Sequence, residues 1–432
     1  MSAPGDVRSA GVSRISTRVI ASRPRPNWGT AHLRSLSASE LSALVGVMPA
    51  WLHRREWRPP AGCDKDLLWE FVERHGLGGA LGALAAEGLV ADEEIAPRAL
   101  DRYLSNSLHF EDARRICGRI ARSANHLGVP VLNMKGPVLA GQAYGDTGIR
   151  AFSDIDLWTN SRSGLLGLLH ALDARIVQDN DLLGPVRRSR GPGSIEATID
   201  RWEIEARYPT VRPTDPMLEL LFELGPEHWR AEEGCLAAPD PSMHLLILLF
   251  HLSWYHYFSR FVWFLDLAAL VSRRRDEIDL DWVQFQAQRL NTANVLGIVA
   301  LFCRRHIDAE FPSFPLDTAA WNFRFLNSTL DSSVIAAEKF SLHQHGLYNQ
   351  VRILWFRSSR HYLLADPAKG HPLDSRPLYW LTATITWALR CTGRAMYAFF
   401  RLLAWLLLYP AARLTGWISQ KPFDREALNG LP

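Results

Sequence analysis

The stretch VPVLNMKGPVLAGQAYGDTGIRAFSDIDLWT, residues 129–159, decides the fold. An apolar run, 129–134, ends at Lys135-Gly136 and opens into a helix-like pattern. A second apolar run, 152–158, carries Asp154-Ile155-Asp156. Residues i and i+2 of a strand project from the same face. Asp154 and Asp156 therefore point together, while Ile155 and Leu157 turn toward a core. Paired carboxylates repel unless a cation sits between them. The pair thus reads as a divalent-metal site for Mg²⁺ or Mn²⁺, with Mg²⁺ favouring one or two carboxylates plus phosphate oxygens and water.

Lys135-Gly136 adds to this reading. Gly136 lets a triphosphate approach the backbone, and a helix starting near Pro137 aims free N–H groups at that spot. Lys135 supplies a point charge. By themselves these residues also fit an ordinary strand-to-helix turn with a solvated lysine, and a lone loop arginine such as Arg150 is usually solvated. The ordered series Lys135-Gly136, Leu139-Ala140, Tyr144, a small-residue turn at 145–148, Arg150 and Asp154-Ile155-Asp156-Leu157 resembles a poorly characterised bacterial nucleotidyltransferase branch of the DNA polymerase beta superfamily. That branch often lies near peptide-natural-product and polysaccharide genes. The resemblance implies an NTP donor, a divalent metal held by Asp154 and Asp156, phosphate contacts from Lys135 and Gly136, and Arg150 beside the metal site.

The resemblance also implies a third carboxylate on a following strand, commonly an acid before Leu-His-Trp. This chain departs from that pattern: it reads SIEATIDRWEIE over 194–205, without histidine. Taken as one continuous strand, the segment places Glu196, Thr198, Asp200 and Trp202 on one face. Asp200 is then the expected third acid, catalytic and metal-ligating, with Glu196 and Glu203 behind it. Residues 177–195, which include the basic run Arg187-Arg188-Ser189-Arg190, read as a loop.

Around this centre the sequence is mostly helical. Residues 64–75, 77–89 and 97–127 carry helical apolar spacing, as do 163–173, 243–257, 261–272, 281–290 and 294–306, and a short helix runs from a serine cap to Leu44. Segments 215–224 and 318–343 read as further helices. His251-Leu252 and Trp263 to Leu267 match elements of the same resembled family. His244, His251 and His256 have no acid or cysteine at ligand spacing and read as buried, hydrogen-bonded histidines. The predicted fold class is α+β: a small mixed β-sheet nucleotidyltransferase core flanked by helices, with a mostly helical C-terminal region. The expected division is a disordered basic leader at 1–35, a helical region at 36–128, the core at 129–225, a helical domain at 226–370 and basic aromatic helices at 371–432.

Composition restricts the partners. The net charge of +3 over 432 residues gives no basic surface that calls for nucleic acid. Cys63, Cys117, Cys235, Cys303 and Cys391 are odd in number and far apart, which suits free thiols in a reducing cytoplasm. Residues 378–418 mix arginines with aromatic and aliphatic side chains. They either pack within the protein or contact a membrane surface or partner protein. The resulting expectation is a Mg²⁺-dependent enzyme that moves an NMP from an NTP to a small-molecule or peptide acceptor. Two other classes share the acidic pair: a sugar or phosphate transferase holding its phosphodonor through Asp154-x-Asp156, and a catalytically inactive nucleotide-binding scaffold.

Overall fold

The computed structural model describes residues 36–179, 193–209, 220–221, 228–230, 236–256, 258–290 and 292–314. The expected leader at 1–35, the helix at 318–343 and the aromatic segment at 378–418 lie outside these residues. No helix among the described residues is long and apolar enough to cross a membrane.

Helices α1 (Ala38–His53), α2 (Lys65–Arg74), α3 (Gly78–Ala86) and α4 (Ile95–Leu127) precede the sheet. Ser37 and Glu40 form a reciprocal capping box on α1. Glu40 also accepts from the amide of Asp64, the N-cap of α2, at 3.0 Å, so one carboxylate ties two helix starts together. α1 runs past Leu44 because Val47, Met48 and Trp51 continue its buried face through Pro49. The small residues of α3 have a packing reason: a Cβ on Gly82 would collide with the Ala99 carbonyl of α4. Gly128, in the left-handed region at φ 64°, ends α4 and turns the chain into the sheet.

The sheet contains β1 (Val131–Asn133), β2 (Asp154–Thr159), β3 (Arg175–Asp179), β4 (Gly193–Ile199) and β5 (Trp202–Tyr208), in the order β1-β2-β5-β4-β3. β2 and β5 are parallel, and the other neighbours are antiparallel. Between β1 and β2 the chain makes α5 (Pro137–Leu139), then a π-helical turn at Ala140–Tyr144. α6 (Arg162–Ala171) follows β2. A two-stranded pair, β6 (Trp229–Arg230) and β7 (Ala238–Pro239), leads to α7 (Pro241–Phe250) and a π-helical turn at His251–Tyr255. Then come α8 (Phe261–Arg274), α9 (Leu280–Arg289) and α10 (Ala293–Phe302). The segment 177–195, expected as a loop, thus contains the end of β3 and the start of β4.

Each face of the sheet enters a different core. Ile155 and Leu157 of β2, Ile195, Ala197 and Ile199 of β4, and Ile204 and Ala206 of β5 pack with Ile116 and Ile120 of α4 and Leu165 and Leu169 of α6. Full burial of each large aliphatic side chain is worth about 1.5–3 kcal/mol. On the opposite face, Leu132 and Trp158 join a larger core built from α1, α2, α3, α7, α8 and α10. Asp154 and Asp156 alternate with Ile155 and Leu157, so they face this second side, toward the C-terminal helices. The architecture is α+β, a mixed sheet between helical layers.

Candidate functional site

Asp154 begins β2 and Asp156 lies two residues along it. The parallel β2–β5 register sets Asp156 directly beside Glu205 and Asp154 beside Glu203. One carboxylate oxygen from each of Asp154, Asp156 and Glu205 lies within 4.8 Å of the others. Asp156 is only 2% exposed. Its buried Oδ1 accepts no hydrogen bond among the described residues. Lys135 Nζ stands 3.0 Å away as an ion pair. Burial, and then the neighbouring Asp156 charge, raise the Asp154 carboxyl above its ordinary value despite the opposing pull of Lys135.

Glu205 is steadied by Arg207 on the same face, whose Nη2 and Nε donate to its Oε1 at 2.5 and 3.0 Å. The trio consists of hard oxygen donors, partly desolvated and converging from two adjacent strands. A buried carboxylate oxygen that meets the Lys135 ammonium but accepts no well-formed hydrogen bond among the described residues, beside a carboxyl pushed upward, fits a divalent cation of the Mg²⁺ or Mn²⁺ kind.

Asp200 is not part of the cluster. The 194–205 segment is a hairpin rather than one strand: Ile199 pairs with Trp202, and Asp200-Arg201 form the connection. Asp200 adopts φ 55° and pairs on the surface with Arg119 at 2.7 Å. Glu196 is exposed on β4, in register with Glu205, and Glu203 is exposed on β5. Neither belongs to the trio. The sequence does contain the signal that would have located Glu205. Apolar residues occupy odd positions through Ile195, Ala197 and Ile199, then even positions through Trp202, Ile204, Ala206 and Tyr208. A one-residue phase change would bury opposite faces of a single strand, whereas a two-residue turn returns both sets to one face.

Lys135 and Gly136 do reach the cluster. The Met134 amide donates to the Asp156 carbonyl at 3.0 Å, drawing the end of β1 along β2. Gly136 then takes φ 63° and ψ −117°. A Cβ there would stand 3.1 Å from the Asp154 carbonyl oxygen, so the turn needs glycine for both its angles and its close approach. Lys135 Nζ also lies 3.2 Å from His251 Nδ1, in the π-helical turn after α7. Burial, followed by Lys135 and His256, pushes His251 well below the ordinary imidazole range. His251 is therefore neutral, with Nδ1 as acceptor and its proton on Nε2. Its ring lies 4.2 Å from that of His256, which in turn lies 4.0 Å from Trp263. His244 is fully buried and binds Gln142 Oε1 at 2.5 Å, and burial lowers its pKa to about 3.

Arg150 is held by Asp266 of α8. Its Nε lies 2.8 and 3.1 Å from the two carboxylate oxygens. Tyr144 Oη donates to Asp266 Oδ1 at 2.5 Å. Burial opposes the Arg150 charge, but Asp266 and Tyr144 more than offset it and raise its pKa. The Tyr144 hydroxyl is pushed far up, first by burial and then by Asp266. Tyr103 and Asn106 of α4 hold the same loop through Asp146 Oδ2 and the Gly148 carbonyl. The segment carrying Arg150 into β2 is therefore fastened from two sides.

No curated protein matches the chain. Among solved structures it is similar to ANT(2″)-Ia in complex with adenylyl-2″-tobramycin, at 10% identity and TM-score 0.30, covering 41% of this chain and 97% of that one. It is similar to JHP933 from Helicobacter pylori at 15% identity and TM-score 0.28, covering 60% and 96%. At these scores neither likeness bears on what the chain does. The sequence profile described as uncharacterised nucleotidyltransferase matches residues 62–308, more than half of the chain and the whole of the site just described. The chain belongs to this nucleotidyltransferase family.

Proposed function

We propose that the protein transfers a nucleoside monophosphate from an NTP to a hydroxyl of an acceptor, releasing pyrophosphate. The observation that carries this reading is the convergence of Asp154, Asp156 and Glu205 beside Lys135 and Gly136. These three carboxylates would hold Mg²⁺ or Mn²⁺. When bound, the metal supplies positive charge against the triphosphate and acidifies a coordinated hydroxyl. The bare backbone at Gly136 admits the phosphates, and the Lys135 ammonium offsets their charge. Glu205, oriented by Arg207, accepts the acceptor proton as its oxygen bonds to the α-phosphorus and the bond to the departing pyrophosphate breaks. Arg150 acts indirectly, by holding the start of β2 against α8. Catalysis is assigned to the core at 129–225, with the helices after 226 walling its open face.

Equilibrium binding of NTPs tests this reading. The protein should bind an NTP in Mg²⁺ and lose that binding in EDTA. Asp156→Asn should weaken it at least tenfold, about 1.4 kcal/mol. Metal-independent affinity that is unchanged by Asp156→Asn would overturn the site. Products then separate the reaction classes: pyrophosphate marks NMP transfer, and a nucleoside diphosphate marks a sugar transferase.

A further inference from the structure

The charges of the acidic cluster are unequally balanced. Arg207 is bound to Glu205, and Lys135 is the cation beside Asp156. Asp156 is 2% exposed, so its charge is shielded mainly by that ammonium. Lys135 is held from a second side by the neutral acceptor His251 Nδ1 at 3.2 Å. Its amine thus lies between a carboxylate and an uncharged imidazole, at the end of a four-carbon stem that can swing. A divalent ion on Asp156 Oδ1 would meet this ammonium at short range, in a partly desolvated site that screens the repulsion less than bulk water does.

We propose that Lys135 is a tethered counter-cation: it occupies the acidic cluster until a metal–nucleotide complex arrives, then moves to the phosphates. This rests on the metal site proposed above. Metal alone must displace the ammonium from Asp156 and leave it without a negative partner, so metal alone binds weakly. A triphosphate brings the charge that receives the displaced amine. Metal and nucleotide therefore enter together, with a coupling beyond the direct phosphate–metal bond. His251 contributes by holding the amine without competing for it electrostatically.

The test is Mn²⁺ binding to the full chain, followed through the electron paramagnetic resonance signal of free Mn²⁺. The proteins are wild type, Lys135→Met, Lys135→Gln, Lys135→Arg and Asp156→Asn. Without nucleotide, both neutral variants should bind Mn²⁺ at least tenfold more tightly than wild type, about 1.4 kcal/mol. Lys135→Arg should stay close to wild type. With a non-hydrolysable NTP the order should reverse, because the neutral variants have no cation for the phosphates. Lys135→Gln keeps an N–H donor for Asp156 and His251, which guards against loss of fold. Neutral variants that fold only when Mn²⁺ is added would also support the proposal, since the metal then replaces the ammonium. Neutral variants that fail to fold with or without Mn²⁺ would make Lys135 a purely structural residue and overturn it. Equal Mn²⁺ affinity in wild type and neutral variants, lost in Asp156→Asn, would overturn the counter-cation while leaving the metal site standing. No Mn²⁺ binding by any form, with or without nucleotide, would overturn the metal site and this proposal with it.

Discussion

Glu205→Gln should lower the single-turnover rate of pyrophosphate release by about 10²- to 10⁴-fold, the usual contribution of a positioned general base. That corresponds to roughly 3–5 kcal/mol of barrier. The substitution keeps the side chain's size and its place beside Asp156 in the β2–β5 register, but removes its charge and its ability to take a proton. Asp200→Asn should leave the rate near wild type. Asp200 sits in the β4–β5 turn, half exposed and paired with Arg119, and exposed pairs of this kind contribute about 0–1 kcal/mol. Asparagine also tolerates the φ of 55° found there. The rates are compared using any acceptor that the wild-type protein modifies. A large loss in Asp200→Asn with little change in Glu205→Gln would return the catalytic role to the turn and discard the trio.

Asp266→Ala should cost about 3–5 kcal/mol of folding stability, the range for breaking a buried ion pair from one side. Asp266 is 1% exposed and receives both Arg150 and Tyr144, so its removal leaves a desolvated guanidinium and an unpaired phenol facing a cavity. Asp266→Asn should cost less, because an amide oxygen can still accept one of these bonds. Urea unfolding followed by tryptophan fluorescence measures both variants. A loss below about 1 kcal/mol for the alanine variant would place the pair among energetically idle contacts. A rate defect in Asp266→Asn with normal stability would show that the same clamp also sets the position of β2.

Much of the centre was legible in the chain. Alternation around Asp154 and Asp156 gave the shared face, and the apolar run before Lys135 gave the strand that delivers it. Gly136 was legible as a point of close approach only in company with the acidic pair, since alone it also fits an ordinary strand-to-helix turn. Helix positions followed from spacing, though α1 continued past Leu44 because tertiary burial of Met48 and Trp51 outweighed the proline inside it. Asp200 lies apart from Asp154 and Asp156 for a local reason. A two-residue hairpin is normally announced by glycine or asparagine. Here it is Asp200-Arg201, without glycine or asparagine, and its only sequence trace is the one-residue phase change in the apolar alternation between Ile199 and Trp202. The partners of Arg150 and Lys135 were illegible for a different reason. Asp266 and His251 each lie 116 positions away along the chain, and their meeting depends on how α7 and α8 dock onto the sheet. No local pattern encodes that docking. The predicted burial and hydrogen bonding of the histidines held in full for His244, while His251 is half-buried and hydrogen-bonded to Lys135.

The parallel junction of β2 and β5 also sets a schedule for assembly. The β4–β5 hairpin closes over two residues and can form within microseconds, like other local hairpins. β2 can join β5 only after the chain between them has folded back, and nonlocal pairings of that kind form slowly. Asp156 and Glu205 therefore become neighbours late, and the Lys135–His251 contact must wait for α7 as well. A chain emerging from the ribosome completes its acidic cluster only after Tyr208 has cleared the exit tunnel. Before that point the chain can hold strands and helices, but Glu205 has no β2 edge to lie against and the three carboxylates stay apart.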